Sequence, residues 1–468
     1  MPRLTVPWDS DSFEDMSRPP LPIPKDLRTV ARLFADAGYQ CWLVGGAVRD
    51  GLLGRGSEDF DLATDARPEE VKALFRRTVP TGVRHGTVTI LLGTHQFETT
   101  TFRRDGRYTD GRRPDAVAFA DNIEEDLARR DFTVNAIAWD LVNRRLEDPH
   151  DGRGDLKRRI IRAIGVPDDR FEEDALRPIR ACRFAAQLGF AVDEATESAI
   201  SRRLDGVPAL SVERIWEELK KILTSPRPST AFHLFRRTGL LDIILPELAA
   251  GIGVEQKGRH TLDVFDHSLA ACDAAPADSL AVRAAALLHD VGKPDCRAVD
   301  GNGEIIFHRH DLVGEEMTRS VLDRYKASNA EKDRIVRLVR HHMFHYTPDW
   351  SDAAVRRFIV RVGSDILDDL VALRLADSAA IAPGRAVPTG YLEEFISRID
   401  GILAGESALS IRDLALNGRD LMTELNLSPG PKLGTLLEHL LDCVLEDPGL
   451  NERERLLDLA RRWLDVYS

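Results

Sequence analysis

Residues 41–64, CWLVGGAVRDGLLGRGSEDFDLAT, restrict the fold of this chain more than any other segment. Their apolar start, Trp42–Val44, predicts a short buried strand. Gly45-Gly46 predicts a turn where backbone can approach a ligand closely, and residues 47–53 predict a helix. Anions favour such a helix start because its amides are unpaired and the helix dipole is positive there. The segment therefore predicts a strand–turn–helix unit that can hold a phosphate.

Asp59 and Asp61 are predicted to lie on the following strand. Residues two apart on a strand point the same way, so the two carboxylates converge while Phe60 turns towards the core. Paired carboxylates beside a phosphate-holding turn suggest a Mg²⁺ site for phosphoryl or nucleotidyl transfer. Residues 85–92 and 95–102 predict a hairpin, whose second strand carries Glu98. Glu98 is a candidate third carboxylate near the metal ions. The alternative is that Glu98 is only an exposed glutamate on a strand.

The composition limits the classes of protein that fit. A length of 468 residues allows two to four domains, and 43% hydrophobic with 30% charged residues predicts a soluble, helix-rich chain. No apolar run reaches membrane-spanning length and no signal-peptide pattern begins the chain, so we expect a cytoplasmic location and no membrane partner. Five scattered cysteines without a Cys-x-x-Cys pair argue against disulfides or a cysteine zinc site.

The net charge of −13 argues against indiscriminate nucleic-acid binding through a basic surface. Two segments, 103–113 and 144–162, are nevertheless locally basic and could contact a phosphate backbone. The candidate RNA-binding residues from these segments are Arg103, Arg112, Arg113, Lys157 and Arg158.

Residues 126–140, DLARRDFTVNAIAWD, suggest nucleotide contacts. The guanidinium groups of Arg129 and Arg130 fork onto phosphate oxygens and could hold a triphosphate or a priming strand. Asp131 and Asn135 offer acceptors and donors to a ribose.

Residues 171–190, FEEDALRPIRACRFAAQLGF, predict a helix with one polar stripe. Planar Asp and Arg side chains can pair with the edge of a base, so this stripe could recognise a nucleotide. The alternative is a surface helix whose charged side chains only pair with one another. Since Pro178 is tolerated only near a helix start, the helix should begin at about Glu173 or Asp174. The stripe consists of Asp174, Arg177, Arg180 and Arg183.

Taken together, GGAVRDGLLG…DFDL, RRDFTVNA and EDALRPIRACRF resemble the nucleotidyltransferases related to DNA polymerase beta. More narrowly, they resemble the bacterial class II tRNA nucleotidyltransferase and poly(A) polymerase family. The resemblance implies that Arg130 contacts the nucleotide, that Asp131 contacts the sugar, and that the Asp/Arg stripe reads CTP or ATP without a nucleic-acid template. The nucleotide-binding set it implies is Gly45, Gly46, Arg49, Arg130, Asp131, Asn135, Asp174, Arg177, Arg180 and Arg183.

The same resemblance covers four further segments. Residues 103–114 are similar to a basic loop associated with the switch from C to A addition, which favours complete CCA synthesis over CC addition alone. Residues 147–156 resemble the hinge between a catalytic head and a helical neck. Residues 210–223 predict a neck helix with Ser211 as N-cap, and the tail resembles a part associated with the tRNA body.

A second group of metal-ligating side chains follows residue 254. Imidazoles and carboxylates from successive helices can surround one or two divalent metals in a helical bundle. The order H…HD…H…H…D is similar to the HD phosphohydrolase superfamily, which implies a Mg²⁺ or transition-metal site and hydrolysis of a phosphate ester. An inactive, structural HD domain is the alternative. The implied metal ligands are His267, His289, Asp290 and Asp377, with His310 and His341 as candidates for a second metal.

We therefore expect an α+β head with a small mixed sheet, followed by an all-α remainder. The predicted parts are a lead-in (1–24), a nucleotidyltransferase head (25–155), a helical neck (156–253), an HD domain (254–400) and a helical tail (401–468). The implied reaction adds CCA to the tRNA 3′ end from CTP and ATP. Poly(A), A-only or CC-only addition, an HD hydrolase with an RNA-docking head, and a non-catalytic RNA-binding protein are the alternatives. The oligomeric state is left open.

Overall fold

The structure is a computed structural model that describes residues 21–83, 86–105, 117–256, 261–381, 390–405 and 409–467. Most of the expected lead-in and the central part of the basic loop, with Arg112 and Arg113, lie outside these ranges. The chain forms two compact units, residues 1–246 and 247–468.

A mixed seven-stranded sheet forms the centre of the first unit, in the order β3-β4-β5-β2-β1-β8-β9. Strands β2 and β5 are parallel, and the other neighbours are antiparallel. Two short pairs, β6-β7 and β10-β11, lie outside it. The strands of this unit are β1 Trp42–Val44, β2 Asp61–Thr64, β3 Thr78–Gly82, β4 Thr87–Leu92, β5 His95–Thr101, β6 Arg103–Asp105, β7 Val117–Phe119, β8 Ala138–Asp140, β9 Leu146–Glu147, β10 Ile160–Ile161 and β11 Ala191–Val192.

Alternation along β5 fixes which side chains reach the open face of the sheet. Phe97 and Thr99 are buried, whereas Gln96 and Glu98 are exposed. Since successive strand residues point to opposite faces, burial of the first pair turns Glu98 away from the core. The antiparallel pairing of β4 with β5 confirms the predicted hairpin.

Helices cover the sheet and continue beyond it. In the first of them, Leu27, Val30 and Phe34 recur at helical spacing and are fully buried. The helices up to residue 249 are α1 Lys25–Asp36, α2 Gly46–Leu52, α3 Pro68–Leu74, α4 Ile123–Ala128, α5 Gly152–Arg158, α6 Pro167–Glu173, α7 Arg177–Leu188, α8 Glu194–Arg202, α9 Val212–Leu223, α10 Pro228–Thr238, α11 Leu240–Ile244 and α12 Pro246–Ala249.

The segment expected to act as a hinge begins α5 and is tightly held. A Cβ on Gly152 would lie 2.2 Å from the carbonyl oxygen of Thr133, so only glycine fits there. The Thr133 hydroxyl donates to the buried carboxylate of Asp155 at 2.7 Å. These contacts fix the short 3₁₀ turn Thr133–Asn135 from behind.

The second unit is a helical bundle with one small hairpin. Helix α13 packs against α14 and α19, and α14 also packs against α17. In the described part of the chain, no helix is both long and apolar enough to cross a membrane. The elements of this unit are α13 Val264–Ala274, α14 Leu280–Leu288, α15 Lys293–Cys296, β12 Arg297–Val299, β13 Ile305–Phe307, α16 His310–Arg324, α17 Asn329–His341, α18 Asp352–Val362, α19 Leu367–Ile381, α20 Gly390–Ala404, α21 Gly418–Glu424, α22 Pro431–Glu446 and α23 Arg453–Val466.

Candidate active site

The turn after β1 brings backbone against charged side chains. Gly45 has φ 70°, and helix α2 begins at Gly46, one residue before the predicted start. A Cβ on Gly45 would lie 3.2 Å from Nη1 of Arg130 and 3.7 Å from Oδ2 of Asp61. Both the positive φ and this close approach favour glycine.

Three carboxylates converge beside this turn. Strand β2 begins at Asp61 and Asp59 precedes it, so the expectation that one strand carries both is wrong. Parallel pairing sets Leu62 opposite Thr99, which places Glu98 beside Asp61. Burial and the charges of Asp59 and Glu98 raise the pKa of Asp61 to about 6, although Arg130 opposes the shift. Such mutual repulsion is what a divalent cation relieves, so the carboxylates fit one.

A cavity of about 820 Å³ opens over these carboxylates. It is large enough for a nucleoside triphosphate and the end of a second substrate. All ten predicted nucleotide-binding residues line it, together with Asp61, Glu98 and Arg103. The other lining residues are Val44, Leu62, Thr81, Gly82, Thr87, Thr100, Arg129 and Phe184.

Asp131 links several groups of the cavity. Its carboxylate accepts hydrogen bonds from Arg180 at 2.6 and 2.8 Å and from Asn135 at 3.0 Å. Asn135 in turn accepts from Arg49 at 2.7 Å. Burial alone would raise the pKa of Asp131, but the charge of Arg180 and the Asn135 hydrogen bond hold it at about 2. The carboxylate is therefore ionised and fixed in position before any nucleotide binds.

Helix α7 begins at Arg177, three residues later than predicted. Helix α6 ends at Glu173, and Asp174 is extended with φ −144° and ψ 106°. The cause is Pro178 in the first turn of α7, which has no N–H to donate to the carbonyl of Asp174 and whose ring would clash with that carbonyl if the helix began earlier. Asp174 therefore precedes the helix instead of lying on its stripe, although it still lines the cavity.

Each arginine of the stripe has a protein partner. Arg177 donates to Glu173 at 2.6 Å, and Arg183 lies 2.5 Å from Glu218. The guanidinium of Arg183 also stacks over Phe184, 3.9 Å from the ring centroid. The paired arginines are thus held in defined positions.

A second centre lies in the helical bundle. Nε2 of His267 is 3.1 Å from Asp377, and Nε2 of His289 is 3.2 Å from Asp290. Asp290 also lies 3.5 Å from Nε2 of His310. Among the described residues, two groups have donor atoms close enough together to hold a metal ion. The first consists of His267, His289 and Asp290, and the second of Asp290, His310 and His342, so Asp290 belongs to both.

The imidazoles of this centre are oriented by the backbone. Nδ1 of His310 lies 2.8 Å from the carbonyl of Phe307, and Nδ1 of His342 lies 2.7 Å from that of Val339. A carbonyl accepts only, so Nδ1 carries the proton and Nε2 keeps its lone pair. The two Nε2 atoms are 3.3 Å apart. Two lone pairs facing each other repel, so this arrangement fits a cation between them.

His342 takes the position that the sequence assigned to His341. His342 is buried within the centre, and burial, with the charge of neighbouring His289, lowers its pKa to about 3. His341 is part of neither donor group found among the described residues. The neutral imidazole of His342 is the form that binds metals.

Comparisons with known proteins agree with both centres. The Poly A polymerase head domain family matches residues 41–162, a family described as the probable RNA and SrmB-binding site of polymerase A matches 189–252, and the HD domain family matches 258–381. The A-adding tRNA nucleotidyltransferase of Deinococcus radiodurans is 36% identical over 435 residues, which cover 90% of this chain and 95% of the relative. The chain belongs to the bacterial tRNA nucleotidyltransferase and poly(A) polymerase family.

Two further relatives support this membership. The CCA-adding enzyme of Lactiplantibacillus plantarum is 33% identical over 432 residues, covering 92% of this chain and 94% of that enzyme. The crystal structure of the Bacillus stearothermophilus CCA-adding enzyme in complex with CTP has a TM-score of 0.74 at 29% identity, covering 96% of this chain and 99% of that one. The family resemblance and the fold class expected from the sequence are confirmed.

Sequence reasoning missed two residues that support the cavity of this nucleotidyltransferase. Helix α9 was expected to be only a structural neck, yet Arg214 binds Asp174 at 2.9 Å and Glu218 binds Arg183. The two residues are one helical turn apart in LSVERIWEELKKIL, a spacing that places both on one face. Ser211 caps α9 by position, without a side-chain hydrogen bond.

The predicted RNA contacts fall in different places. Arg103 lines the cavity. Lys157 and Arg158 are exposed on α5, outside the cavity lining, and Arg158 binds Asp151 at 2.7 Å and Asp155 at 2.8 Å. These two carboxylates offset the charge that Arg158 would offer to a phosphate.

Proposed function

We propose that the head adds CMP, CMP and AMP in turn to the 3′ end of tRNA, using CTP and ATP and releasing pyrophosphate. The observation that carries this proposal is the single cavity in which the carboxylates Asp61 and Glu98 meet Asp174 and the prearranged arginines of α7. Membership of the nucleotidyltransferase family supports it.

In this proposal, fixed side chains replace a nucleic-acid template. Asp174 and Arg177 face the base, because planar carboxylate and guanidinium groups can donate to and accept from its edge. Asp131 and Asn135 hold the ribose, and Arg130 holds the triphosphate beside the Gly45 turn. The ion pairs behind these groups limit their motion, which is needed if C and A are to be chosen over U and G.

Asp59, Asp61 and Glu98 are the proposed ligands for Mg²⁺. A divalent cation at these carboxylates supplies the positive charge that the triphosphate and the departing pyrophosphate require. The raised pKa of Asp61 supports the assignment, since it reflects burial of the carboxylate together with the nearby negative charges of Asp59 and Glu98. Asp59 is the exposed member of the three.

The test uses tRNA transcripts that end before CCA, after C and after CC. Each is incubated with Mg²⁺ and CTP, ATP or both, and products are sized to one nucleotide. Growth that stops at CCA from all three transcripts is expected. Long A tracts would identify a poly(A) polymerase instead, growth that stops at CC would identify a CC-adding enzyme, and no growth would leave the HD centre as the active one.

Addition of A alone is the second candidate function. The Deinococcus radiodurans relative, which aligns with 90% of this chain, is named an A-adding enzyme. In the experiment above, extension of only the transcript that ends after CC would establish this function.

We also propose that the HD centre hydrolyses a phosphate ester. Asp290 is shared by two donor groups, and Lys293 lies 2.6 Å from its carboxylate in a cavity of about 430 Å³. His267 and His289 complete the first group, with Asp377 beside it at 3.1 Å from Nε2 of His267, and His310 and His342 complete the second. A divalent cation there supplies the Lewis acidity that activates water for attack on phosphorus.

Ring opening of a 2′,3′-cyclic nucleotide to the nucleoside monophosphate, and release of p-nitrophenol and phosphate from p-nitrophenyl phosphate, test this second activity. The chelator-treated protein is assayed with Mg²⁺, Mn²⁺, Co²⁺, Ni²⁺ and Fe²⁺ in turn. Turnover with at least one ion that is lost in His310→Ala is expected, whereas no turnover with any of them would favour a structural HD domain.

A further inference from the structure

We propose that a threonine-lined part of the head cavity is the acceptor subsite, where the 3′-terminal nucleotides of the RNA lie. We call it the acceptor wall. This inference rests on the nucleotide-adding function proposed above. The acceptor wall consists of Thr81, Gly82, Thr87, Thr100 and Arg103, all of which line the cavity of about 820 Å³.

Sheet order sets the acceptor wall apart from the nucleotide groups. In the order β3-β4-β5-β2-β1, Asp61 begins β2 and Glu98 lies on its neighbour β5. The Gly45 turn follows β1, on one side of these carboxylates. Strands β4 and β3 extend in the opposite direction, with Thr87 paired to Thr100 and Gly82 paired to Thr87.

The reaction needs two substrates on opposite sides of the carboxylates. In nucleotidyl transfer, the attacking 3′-oxygen and the departing pyrophosphate lie roughly in line through the reacting phosphorus. The Gly45 turn, with Arg130 beside it, is the proposed triphosphate side. The attacking oxygen must therefore enter from the β5–β4–β3 side, over the acceptor wall.

The hydroxyl groups of the acceptor wall suit a ribose-phosphate chain. Thr87 and Thr100 are 3.1 Å apart through their Oγ1 atoms, and Thr81 is 3.0 Å from Thr89. A hydroxyl has one donor and two acceptor sites, so a paired threonine retains capacity for a ribose hydroxyl or phosphate oxygen. Arg103 supplies positive charge at the same wall.

Neutral hydroxyls also explain how one subsite accepts changing ends. During CCA synthesis the terminal nucleotide of the RNA differs at each addition. Contacts to sugar and phosphate position a strand without reading its sequence. Base selection is then left to the Asp/Arg groups on the other side of the carboxylates.

Kinetics with an acceptor-stem RNA minihelix that ends before CCA test this subsite. Thr87→Val and Thr100→Val remove one hydroxyl each while keeping a residue that favours strands. We expect the KM for the minihelix to rise about three- to tenfold in each, the effect of losing one hydrogen bond. The KM for CTP should stay within about twofold, because CTP binds on the other side of the carboxylates.

Two further variants separate a lost contact from a damaged sheet. Thr87→Ser keeps the hydroxyl and should restore the minihelix KM towards that of the unchanged protein. Gln96→Ala alters an exposed residue on the Glu98 face of β5 that does not line the cavity, and should leave both KM values unchanged.

An unchanged minihelix KM in both valine variants would overturn the acceptor subsite. So would a parallel rise in both KM values, or a failure of Thr87→Ser to restore the minihelix KM. Absence of extension by the unchanged protein would overturn the nucleotide-adding function as well. If the unchanged protein extends the minihelix but the valine variants have the same minihelix KM, only the acceptor subsite is overturned.

Discussion

At the scale of single residues, the head keeps negative charge where folding alone would not favour it. Asp61 is packed against the Gly45 turn with two other carboxylates near it, and its raised pKa measures the cost of ionising it there. Asp131 is the opposite case, because Arg180 and Asn135 stabilise its ionised form. Asp61 lies among like charges, as the proposed cation site requires, whereas Asp131 holds protein groups in place.

Asp61→Asn should therefore reduce nucleotide addition by on the order of a hundredfold or more. Its melting temperature in the absence of divalent ions should not fall, since the variant removes a repulsive charge. Single-nucleotide extension and thermal unfolding check the two effects. Glu58→Gln, at an exposed position outside the cavity lining, is the matched control. Retained activity in Asp61→Asn would remove this residue from the metal site.

Asp131→Asn should destabilise the head by about 2 kcal/mol, the value of a pKa lowered from 3.8 to about 2. A carboxyl whose folded pKa is lowered contributes stability that is complete above its unfolded pKa and lost as the pH falls through the folded pKa. The difference between variant and unchanged protein should thus be constant from pH 8 to pH 5. A difference that shrinks between pH 7 and pH 5 would show that the carboxyl titrates there, contrary to the ion pair.

At the scale of elements, α9 holds the nucleotide-reading part of the cavity in place. Arg214 and Glu218 lie one helical turn apart on α9. Arg214 binds Asp174, which is extended and precedes α7, and Glu218 binds Arg183 within α7. Pro178 makes this support necessary. Its ring and its missing N–H prevent the helix from extending back to Asp174, so a continuous helix does not position that residue.

Glu218→Gln should weaken the choice of nucleotide without abolishing addition. The neutral amide binds the Arg183 guanidinium less strongly, so the preference of kcat/KM for CTP and ATP over UTP and GTP should fall by about tenfold. Glu217→Gln is the matched control, because Glu217 is 59% exposed and pairs with Lys220. Equal selectivity in the two variants would restrict α9 to a structural role.

The nucleotide-reading residues themselves form a separate prediction. Asp174→Ala and Arg177→Ala should also blur selection among the four nucleotides, since both line the cavity. Arg177 is held by the carbonyls of Arg170 and Arg129 as well as by Glu173, so its loss should lower stability too. Steady-state comparison of CTP, ATP, GTP and UTP checks selection, and unchanged preference in both variants would contradict the assignment.

At the scale of the whole molecule, the two compact units offer different sets of candidate metal ligands. The head offers carboxylates, which suit Mg²⁺, whereas the HD centre offers imidazoles and carboxylates, which suit transition metals as well. Each donor set is completed within its own unit. The two activities should therefore respond separately to substitutions.

Asp290→Asn should abolish phosphate-ester hydrolysis and leave tRNA extension within about twofold of the unchanged protein, because Asp290 is shared by both donor groups of the HD centre only. The exposed neighbour Asp295, changed to Asn, is the control. A matching loss of tRNA extension, measured beside hydrolysis and bound metal content, would mean that the units are coupled.

Features that depend on neighbours along the chain could be predicted from the residues alone. The strand and glycine turn at residues 42–46, the β4–β5 hairpin and the family motifs are local, so backbone preferences and spacing suffice to predict them. The start of α7 was predicted wrongly, although its cause is also local. Pro178 places the first helical residue at Arg177, after Asp174.

Which distant groups meet depends on how the helices and strands pack, and no local pattern predicts it. Arg183 with Glu218, Asp174 with Arg214 and Asp131 with Arg180 are each joined by packing between elements far apart in sequence. The choice of His342 over His341 has the same origin. Adjacent helical residues point about 100° apart, and the rotation of α17 against its neighbours, which no local pattern encodes, selects the one that faces His310.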